Sequence, residues 1–310
     1  MQCAAASCLC VRKGVGLRTG RWTAPFPHHS NCSLSVIDLG RPLGSSRRAS
    51  HAVLSLDSAS LAEYEGDTVP AILKRVLPVR DTSMGSYYEE RLFGSKLQRV
   101  YELASPRIRQ YLDAEIRYVI DHVQGASRVL ELGCGYGRVM KEVAPHVTRI
   151  AGNDIARASL ELAGSYLRGC RGCDIFRMDA SQLAFRDGIF DAVFCIQNGI
   201  SAFGVDRHGL VAEAVRVAKE GGVILFSSYS PLIWADRLDW FRAQARAGLL
   251  GELDESRSRD GTIVCKDGFR ATTVGGDEFE ALFAELGRAV TVHEVDGSSV
   301  FAQAVKRARS

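Results

Sequence analysis

The chain has 310 residues, of which 46% are hydrophobic and 24% are charged, so it can bury the core of one large domain or two modest ones. Its formal net charge of +3 is too small to predict a general attraction to nucleic acid. No run approaches about 18 uninterrupted apolar residues, so no membrane span is predicted. The nine cysteines are an odd number in a long chain, which argues against a disulfide framework.

The first 60 residues differ from the rest in composition. They hold ten serines, seven basic residues and two acidic ones, whereas the rest of the chain is near neutral. A basic, serine-rich and acid-poor segment is typical of an organelle transit peptide; a disordered leader and a wrongly chosen start codon are the alternatives. We expect residues 1–60 to be dispensable for folding and activity. We expect the protein to be soluble and to lie in the cytoplasm or, if the segment is a transit peptide, in a mitochondrion or plastid.

Two helices are predicted within residues 61–125, which we interpret as a helical lid. In the second helix, Ser105 is suited to be the N-cap and Pro106 to be the first helical residue. An apolar stripe at helical spacing follows: Ile108, Leu112, Ile116, Val119 and Val123. The first helix shows a similar spacing over Leu97, Val100, Tyr101 and Ala104.

Short apolar runs alternate with amphipathic, helix-like segments in the main domain, residues 126–310. The apolar runs cover residues 128–133, 148–154, 174–179, 190–197 and 222–229. Continuous apolar strands separated by helices predict a doubly wound α/β fold, with a parallel sheet and helices on both of its faces.

The end of the chain follows a different pattern. Asp267-Gly268 is a strong signal for a two-residue hairpin turn, and a helix ended by Gly287 follows it. Two further strands then flank a tight turn at Gly297. This ending places an antiparallel strand at the end of an otherwise parallel sheet. Residues 231–275 are long for a connection, and we expect them to form a flap over the site.

Three glycines at alternate positions follow the first strand of the main domain: Gly133, Gly135 and Gly137. Glycine tolerates a positive φ and lets the backbone approach a ligand closely. In an open parallel sheet, ligands bind at the carboxyl ends of the strands, where Asp154 and Asp179 follow the second and third strands. A dinucleotide loop is disfavoured, because its third glycine would stand where this chain has Arg138.

The run "VLELGCG", residues 129–135, resembles motif I of the class I S-adenosylmethionine-dependent methyltransferases. The resemblance continues through "IAGNDIA" (150–156), "FRMDASQLAFRDGIFDAVFCI" (176–196) and "KEGGVILFSSYS" (219–230), in the order and spacing of the family. It covers about residues 126–306. It implies a mostly parallel seven-stranded sheet with an antiparallel terminal strand, and S-adenosylmethionine as the cofactor.

The resemblance implies a role for each matching residue. Glu131 orients the loop or meets the amino group of the cofactor, Asp154 holds the ribose hydroxyls, and Asp179 with the Ala180 amide reads the adenine. Tyr88 is a candidate to cover the sulfonium, since aromatic faces attract cations. The complete set of candidate cofactor-binding residues is Glu131, Gly133, Cys134, Gly135, Gly137, Asp154, Ile155, Asp179, Ala180, Gln197 and Tyr88.

The candidate catalytic residues follow the fourth and fifth strands: His208, Tyr229 and Asn198. His208 is suited to be a general base, although it lies at an expected helix start, where capping or exposed histidines are common. The run "IQNGIS", residues 196–201, lacks the N/D-P-P-Y/F motif of enzymes that methylate amino groups of DNA bases or glutamine. Methyl transfer from a sulfonium mainly requires alignment of the two reactants.

The sequence therefore predicts a methyltransferase that acts on a small-molecule acceptor, with no nucleic-acid or membrane partner. An RNA or protein methyltransferase and a non-catalytic methyltransferase-like subunit are the alternatives. No metal site is predicted, because the single C-x-x-C pair, Cys170 and Cys173, lacks a second pair of ligands at suitable spacing.

Overall fold

The computed structural model describes residues 36–38, 87 and 91–307 of the chain. The predicted leader, residues 1–60, lies outside the described residues apart from one short strand, and so does much of the segment 61–90. Ten strands are described: β1 (Val36–Asp38), β2 (Arg128–Leu132), β3 (Arg149–Asp154), β4 (Cys173–Arg177), β5 (Phe190–Cys195), β6 (Ala218–Tyr229), β7 (Ile263–Val264), β8 (Arg270–Ala271), β9 (Val290–Val295) and β10 (Ser299–Val305).

The main sheet has the strand order β1-β4-β3-β2-β5-β6-β10-β9. Strands β1 to β6 pair in parallel, whereas β10 is antiparallel to both β6 and β9. The predicted doubly wound α/β fold is confirmed, with its antiparallel strand at the end of the chain. After β2, the chain adds β3 and β4 toward one edge of the sheet, and then returns to add β5 and β6 on the other side of β2. The strand order therefore reverses between β2 and β5, and this is where such sheets bind ligands.

Strand β1 was not predicted from the sequence. It pairs with β4 at the edge of the sheet, in the register Val36 with Ile175, and makes the main sheet eight-stranded. Three residues are too short for a periodic signal, and the composition of the surrounding segment favours no strand. Pairing with the exposed edge of β4 is therefore what defines this strand.

The described helices are α1 (Ser95–Glu102), α2 (Pro106–Val123), α3 (Arg138–Val143), α4 (Arg157–Tyr166), α5 (Gly199–Ala202), α6 (Arg207–Val217), α7 (Trp234–Arg246) and α8 (Gly276–Glu285). Helix α2 begins as the sequence predicts, because the Ser105 hydroxyl accepts a hydrogen bond from the Ile108 amide, 3.2 Å away, and Pro106 is the first helical residue. Among the described residues, no helix is long and apolar enough to cross a membrane.

Two hydrophobic clusters cover the two faces of the sheet. Successive residues of a strand point to opposite faces, so Val129 and Leu130 enter different clusters. Helices α2, α3 and α4 contribute to the cluster around Val129, while α6 and α8 contribute to the cluster around Leu130. The helices therefore lie on both faces, as predicted, and the carboxyl ends of the strands are left for the site.

A third hydrophobic cluster joins the N-terminal helices to residues 231–275. The Trp240 indole of α7 donates a hydrogen bond to the Val100 carbonyl of α1, at 3.0 Å. The Tyr87 hydroxyl donates to Asp267 at the turn of the β7–β8 hairpin, at 2.9 Å. This hairpin forms a separate two-stranded sheet. The two segments thus pack on each other.

Candidate functional site

The glycine loop after β2 has the backbone conformation that glycine permits. Gly133, Gly135 and Gly137 have φ values of 74°, 53° and 85°, a left-handed region that other residues rarely adopt. A Cβ atom at position 133 would overlap with the Phe203 ring. The loop therefore turns sharply and lets the ring approach its backbone. Gly137 is the N-cap of α3 and does not line the cavity described below.

Asp154, at the carboxyl end of β3, supports this loop. Its carboxylate accepts hydrogen bonds from the Gly135 amide, at 2.9 Å, and from the Ala156 amide, at 2.8 Å. These bonds connect the loop after β2 to the loop after β3. They also fix the orientation of a half-buried carboxylate in the wall of the cavity.

Asp179 lies in the corresponding position after β4. One of its carboxylate oxygens accepts hydrogen bonds from the Ser181 amide, at 2.8 Å, and from the Ser181 hydroxyl, at 2.7 Å. Asp179 and its neighbour Ala180 line the same cavity as Asp154 and Ile155. The three strand ends thus bring the predicted carboxylates together at the edge of the sheet.

Glu131 is a buried carboxyl in the wall of this cavity, with 5% of its surface exposed. Its Oε2 atom is fully buried and has no hydrogen-bond partner within the described part of the chain. Burial raises the pKa of the Glu131 carboxyl to about 8; the charge of Arg138 and the Met140 amide lower it, and Asp154 raises it further. A buried carboxyl oxygen without a partner is costly, so this position is suited to a hydrogen-bond donor such as the ammonium group of a ligand.

Arg138, the first residue of α3, is the cation of the site. Its guanidinium lies 4.4 Å from the centre of the Tyr101 ring and donates a hydrogen bond to the Gln197 side chain at 2.6 Å. Its Nε atom is buried without a hydrogen-bond partner among the described residues. In the sequence, Arg138 disfavours a dinucleotide loop, and no cofactor contact was predicted for it. A charged side chain directly after the glycine loop was the available signal for its role here.

The turn after β5 carries backbone strain. Gln197 and Asn198 have φ values of 58° and 62°, which non-glycine residues rarely adopt. Glu115 of α2 holds this turn, since its carboxylate accepts hydrogen bonds from the Gln197 amide, at 2.6 Å, and from the Ser299 hydroxyl, at 2.7 Å. Glu115 was not predicted, although an acid directly before Ile116 of the apolar stripe of α2 is a signal for it.

Two predicted catalytic residues, Asn198 and His208, do not line the cavity. The buried Asn198 side chain donates to the Thr272 carbonyl, at 2.9 Å, and accepts from the Ser228 hydroxyl, at 2.7 Å, so it connects β6 to the insertion. His208 lies in the first turn of α6, where its Nε2 atom is in contact with the Glu285 carboxylate. Neither residue lines the cavity, and we assign no catalytic role to them.

Tyr229, the third predicted catalytic residue, does line the cavity at the end of β6. Burial raises the pKa of its phenol to about 12, against the lowering effect of the Arg237 charge. The phenol is therefore protonated at neutral pH, where it can donate a hydrogen bond but does not serve as a base.

The cavity has a volume of about 180 Å³, whereas one water molecule needs roughly 10–15 Å³ of such space. One end is formed by the strand-end loops and holds the predicted residues Glu131, Gly133, Cys134, Gly135, Asp154, Ile155, Asp179, Ala180 and Gln197. The rest of the lining comes from α1, α2, α7 and the end of β6 and is mostly apolar: Leu97, Val100, Tyr101, Leu112, Tyr229, Trp240, Phe241 and Gln244. We call this set the apolar end, although Leu97 and Tyr101 lie against Gly135 and Arg138 of the glycine loop. Tyr88 lies outside the described residues. Over residues 91–307, no group of three or more His, Cys, Asp or Glu side chains is placed to hold a metal ion.

Comparison with known proteins agrees with this geometry. Residues 129–222 match the family described as "Methyltransferase domain". They span β2 to the start of β6, and so include the glycine loop and the two aspartates of the cavity. These residues are a methyltransferase domain. The match confirms the predicted family resemblance and, with it, S-adenosylmethionine as the cofactor of this class of domain.

The methyltransferase domain has curated relatives with lipid-related names. The chain is 32% identical over 113 residues to phthiotriol/phenolphthiotriol dimycocerosates methyltransferase 1 of Mycobacterium ulcerans. The aligned residues cover 36% of this chain and 41% of that protein. The chain is also 33% identical over 125 residues to a sterol 24-C-methyltransferase of Neurospora crassa, and these residues cover 38% of this chain and 31% of that protein. The similarity thus spans less than half of either relative.

Among solved structures, the chain is similar to a protein from Pyrococcus horikoshii OT3. The two share 20% identity with a TM-score of 0.55, and the similarity covers 68% of this chain and 99% of that one. At this level of identity, the similarity concerns the fold of the methyltransferase domain and its surroundings.

Proposed function

We propose that this protein transfers the methyl group of S-adenosylmethionine to a small organic acceptor. The observation that carries the proposal is that a carboxyl and a guanidinium, each with one polar atom left without a hydrogen-bond partner, lie in the wall of one cavity beside the glycine loop. Glu131 Oε2 and Arg138 Nε are both buried without hydrogen-bond partners among the described residues. They match the ammonium and the carboxylate of an amino acid, which is the part of the cofactor expected to lie at this loop.

The remaining polar groups suit the nucleoside part of the cofactor. The Asp154 carboxylate is oriented by two backbone amides and can accept hydrogen bonds from a ribose diol. Asp179 and the Ala180 amide lie beside it in the cavity and can meet the adenine edge. S-adenosylmethionine, when bound, supplies a methyl group on a positively charged sulfur. The protein then has to align the acceptor and exclude water.

The apolar end of the cavity supports a small acceptor. It is bounded by α1 and α2 on one side and by α7 on the other, and the Trp240–Val100 hydrogen bond joins the two sides. A lid of this kind leaves little room for a folded macromolecule. Two of the curated relatives are named for acceptors that are not macromolecules, a dimycocerosate and a sterol.

The test is a methyl-transfer assay with isotope-labelled S-adenosylmethionine and a metabolite extract. We expect label to move to a small molecule, and calorimetry to detect binding of S-adenosylhomocysteine. Greater transfer to tRNA, rRNA or protein would contradict the proposed acceptor class. Absence of binding by both S-adenosylmethionine and S-adenosylhomocysteine would contradict the proposal as a whole.

Replacement of Asp154 by alanine is expected to weaken cofactor binding by about 1.5–3 kcal/mol, the range for hydrogen bonds to a charged group. The protein should still fold, since this carboxylate is half-buried at a strand end. Calorimetric titration with S-adenosylhomocysteine measures the change. Asp154→Asn is the matched control. The asparagine carbonyl oxygen still accepts one of the two backbone hydrogen bonds, so this variant should lose less affinity for S-adenosylhomocysteine than Asp154→Ala. Unchanged affinity in a folded Asp154→Ala protein would remove this residue from the site.

Binding of the cofactor should release a proton at pH 7. With a pKa of about 8, about nine-tenths of the Glu131 carboxyls are protonated at this pH in the free protein. An ammonium group beside the carboxyl favours its ionised form, so binding should release most of one proton and tighten as the pH rises toward 8. Calorimetry in buffers of different ionisation enthalpy measures this number, and Glu131→Gln should abolish the release. If the Glu131→Gln variant still releases a proton on binding, the proton comes from another group.

A further inference from the structure

The acceptor end of the cavity contains one buried side-chain amide, that of Gln244 on α7. Gln244 has 2% of its surface exposed, lines the cavity, and its carboxamide makes no hydrogen bond with any described residue. Neither amide atom is among the fully buried side-chain atoms without a partner, so the amide is open to the cavity. Polar groups in such a place are normally hydrogen-bonded, and a ligand group in the cavity can supply the partner.

The walls around Gln244 are apolar and aromatic. Trp240 and Phe241 precede it on α7, and Tyr229 and Leu112 complete the wall from β6 and α2. Within the described residues, these elements contribute no charged side chain to the lining of this end. Pockets of this kind bind an apolar skeleton, while a few polar groups fix its orientation.

Two guanidinium groups already lie on the tyrosine rings of this end. Arg138 lies 4.4 Å from the centre of the Tyr101 ring, and the buried Arg237 lies 4.3 Å from the centre of the Tyr229 ring. A cationic acceptor would find one face of each ring occupied by another cation and would be repelled by both charges. Arg237 also donates hydrogen bonds to the carbonyls of Gly261, at 2.7 Å, and Ala271, at 3.3 Å, so it is held behind the ring.

An anionic acceptor is also poorly matched. The two guanidinium charges would attract an anion, but neither arginine is contributed to the lining by α7 or β6. The anion's charge would lose its hydration in an apolar wall, and the side chains of α7 and β6 that line this end offer only neutral groups, the Gln244 amide and the Tyr229 phenol. These neutral groups can pair with a hydroxyl, a carbonyl or an amide.

We propose that Gln244 determines the specificity of the acceptor site, and that the acceptor is an uncharged molecule with an apolar skeleton and a neutral hydrogen-bonding group that meets this amide. The inference rests on the proposed methyl transfer and specifies the acceptor class of the same site.

The experiment compares three probes that share one skeleton and differ in charge: 2-naphthol, 2-naphthoate and 2-naphthylmethylamine. Each is titrated by calorimetry at pH 7 into the full-length protein saturated with S-adenosylhomocysteine. We expect 2-naphthol to bind at least about tenfold more tightly than either charged probe. We expect Gln244→Met, which keeps the side-chain length but removes the amide, to weaken 2-naphthol binding by about tenfold, the effect of one unpaired hydrogen-bonding group.

Two control variants separate the role of Gln244 from a general effect. Gln124→Met makes the same change at an exposed glutamine at the end of α2 and should leave 2-naphthol binding unchanged. Gln244→Glu introduces a negative charge and should shift the preference toward 2-naphthylmethylamine. Binding of S-adenosylhomocysteine should be the same in all variants.

Several outcomes would overturn the inference. Equal or tighter binding of a charged probe to the unaltered protein, or no binding of 2-naphthol, contradicts the acceptor class even if Gln244→Met fails to fold. Unchanged 2-naphthol binding by a folded Gln244→Met protein contradicts the role of Gln244. If S-adenosylhomocysteine does not bind the unaltered protein, the proposed function fails as well, whereas a wrong probe ranking with intact S-adenosylhomocysteine binding overturns only the present inference.

Discussion

Replacement of Arg138 by methionine is expected to weaken the binding of S-adenosylhomocysteine by about 3 kcal/mol, or roughly 100-fold. The guanidinium is half-buried, and its Nε atom has no partner in the described part of the chain, so it is positioned to pair with the carboxylate of the cofactor. Removing a cation from such a site leaves a ligand carboxylate desolvated and unpaired, which is the costly case. Calorimetry measures the affinity.

Arg138→Lys is the matched control for this prediction. Lysine keeps the positive charge but not the planar fork that binds a carboxylate through two hydrogen bonds. The affinity of the Arg138→Lys variant for S-adenosylhomocysteine should therefore lie between those of the unaltered protein and the Arg138→Met variant. Thermal unfolding should show that both variants fold, because Arg138 makes its side-chain hydrogen bond to Gln197 in a partly exposed position. Equal affinities of the methionine variant and the unaltered protein would exclude Arg138 from the cofactor site.

Replacement of Glu115 by alanine should lower the free energy of unfolding by about 3 kcal/mol, because the buried Ser299 hydroxyl loses its acceptor and the Gln197 amide keeps only the Ser227 hydroxyl oxygen, 2.9 Å away. The Gln197 amide and the Ser299 hydroxyl both lose a hydrogen bond to this carboxylate, and the strained turn at Gln197 loses its support. For a domain of this size, the loss corresponds to a decrease in Tm of roughly 6–12 °C. Differential scanning calorimetry measures it. We also expect weaker cofactor binding, since Gln197 bonds to Arg138.

Glu115→Gln keeps an acceptor oxygen and tests the charge separately. Burial raises the pKa of the Glu115 carboxyl to about 7, against the lowering effect of its hydrogen bonds with Ser299, Ser227 and Gln197. The folded state then binds more protons than the unfolded state between pH 4.5 and 7, so the stability contributed by this group falls as the pH rises through that window.

The glutamine variant should therefore lose less stability with rising pH than the unaltered protein. The raised pKa of Glu131 acts in the same direction in both proteins, so the difference between their pH profiles isolates Glu115. Parallel profiles between pH 4.5 and 7 would show that Glu115 does not ionise in this range.

Local patterns in the sequence determined most of the fold. The apolar runs of β2 to β6 are continuous because both faces of the sheet are covered, so their positions and their parallel pairing could be predicted. Ser105 and Pro106 act through neighbouring backbone groups, and each lies where its chemistry predicts. The hairpin predicted at Asp267-Gly268 also forms, but its loop has three residues, 266–268, and not two, because Val264 pairs with Arg270 and the Cys265 amide bonds to the Phe269 carbonyl. The glycine loop and the strand-end aspartates were also predictable, because strand ends in a parallel sheet meet at one edge.

Tertiary structure decided which side chains line the cavity, as Arg138 and Gln244 do, or support its wall, as Glu115 does. Glu115, Arg138 and Gln244 come from three helices, and their roles depend on which face of each helix packs against which loop. Asn198 and His208 show the reverse case, since residues adjacent in sequence to the site turn toward Thr272 and Glu285 instead. The short strand β1 likewise depends on a distant partner, β4. The sequence by itself determined the sheet, the loop and the cofactor class, whereas the orientation of buried polar side chains was decided by packing between distant segments.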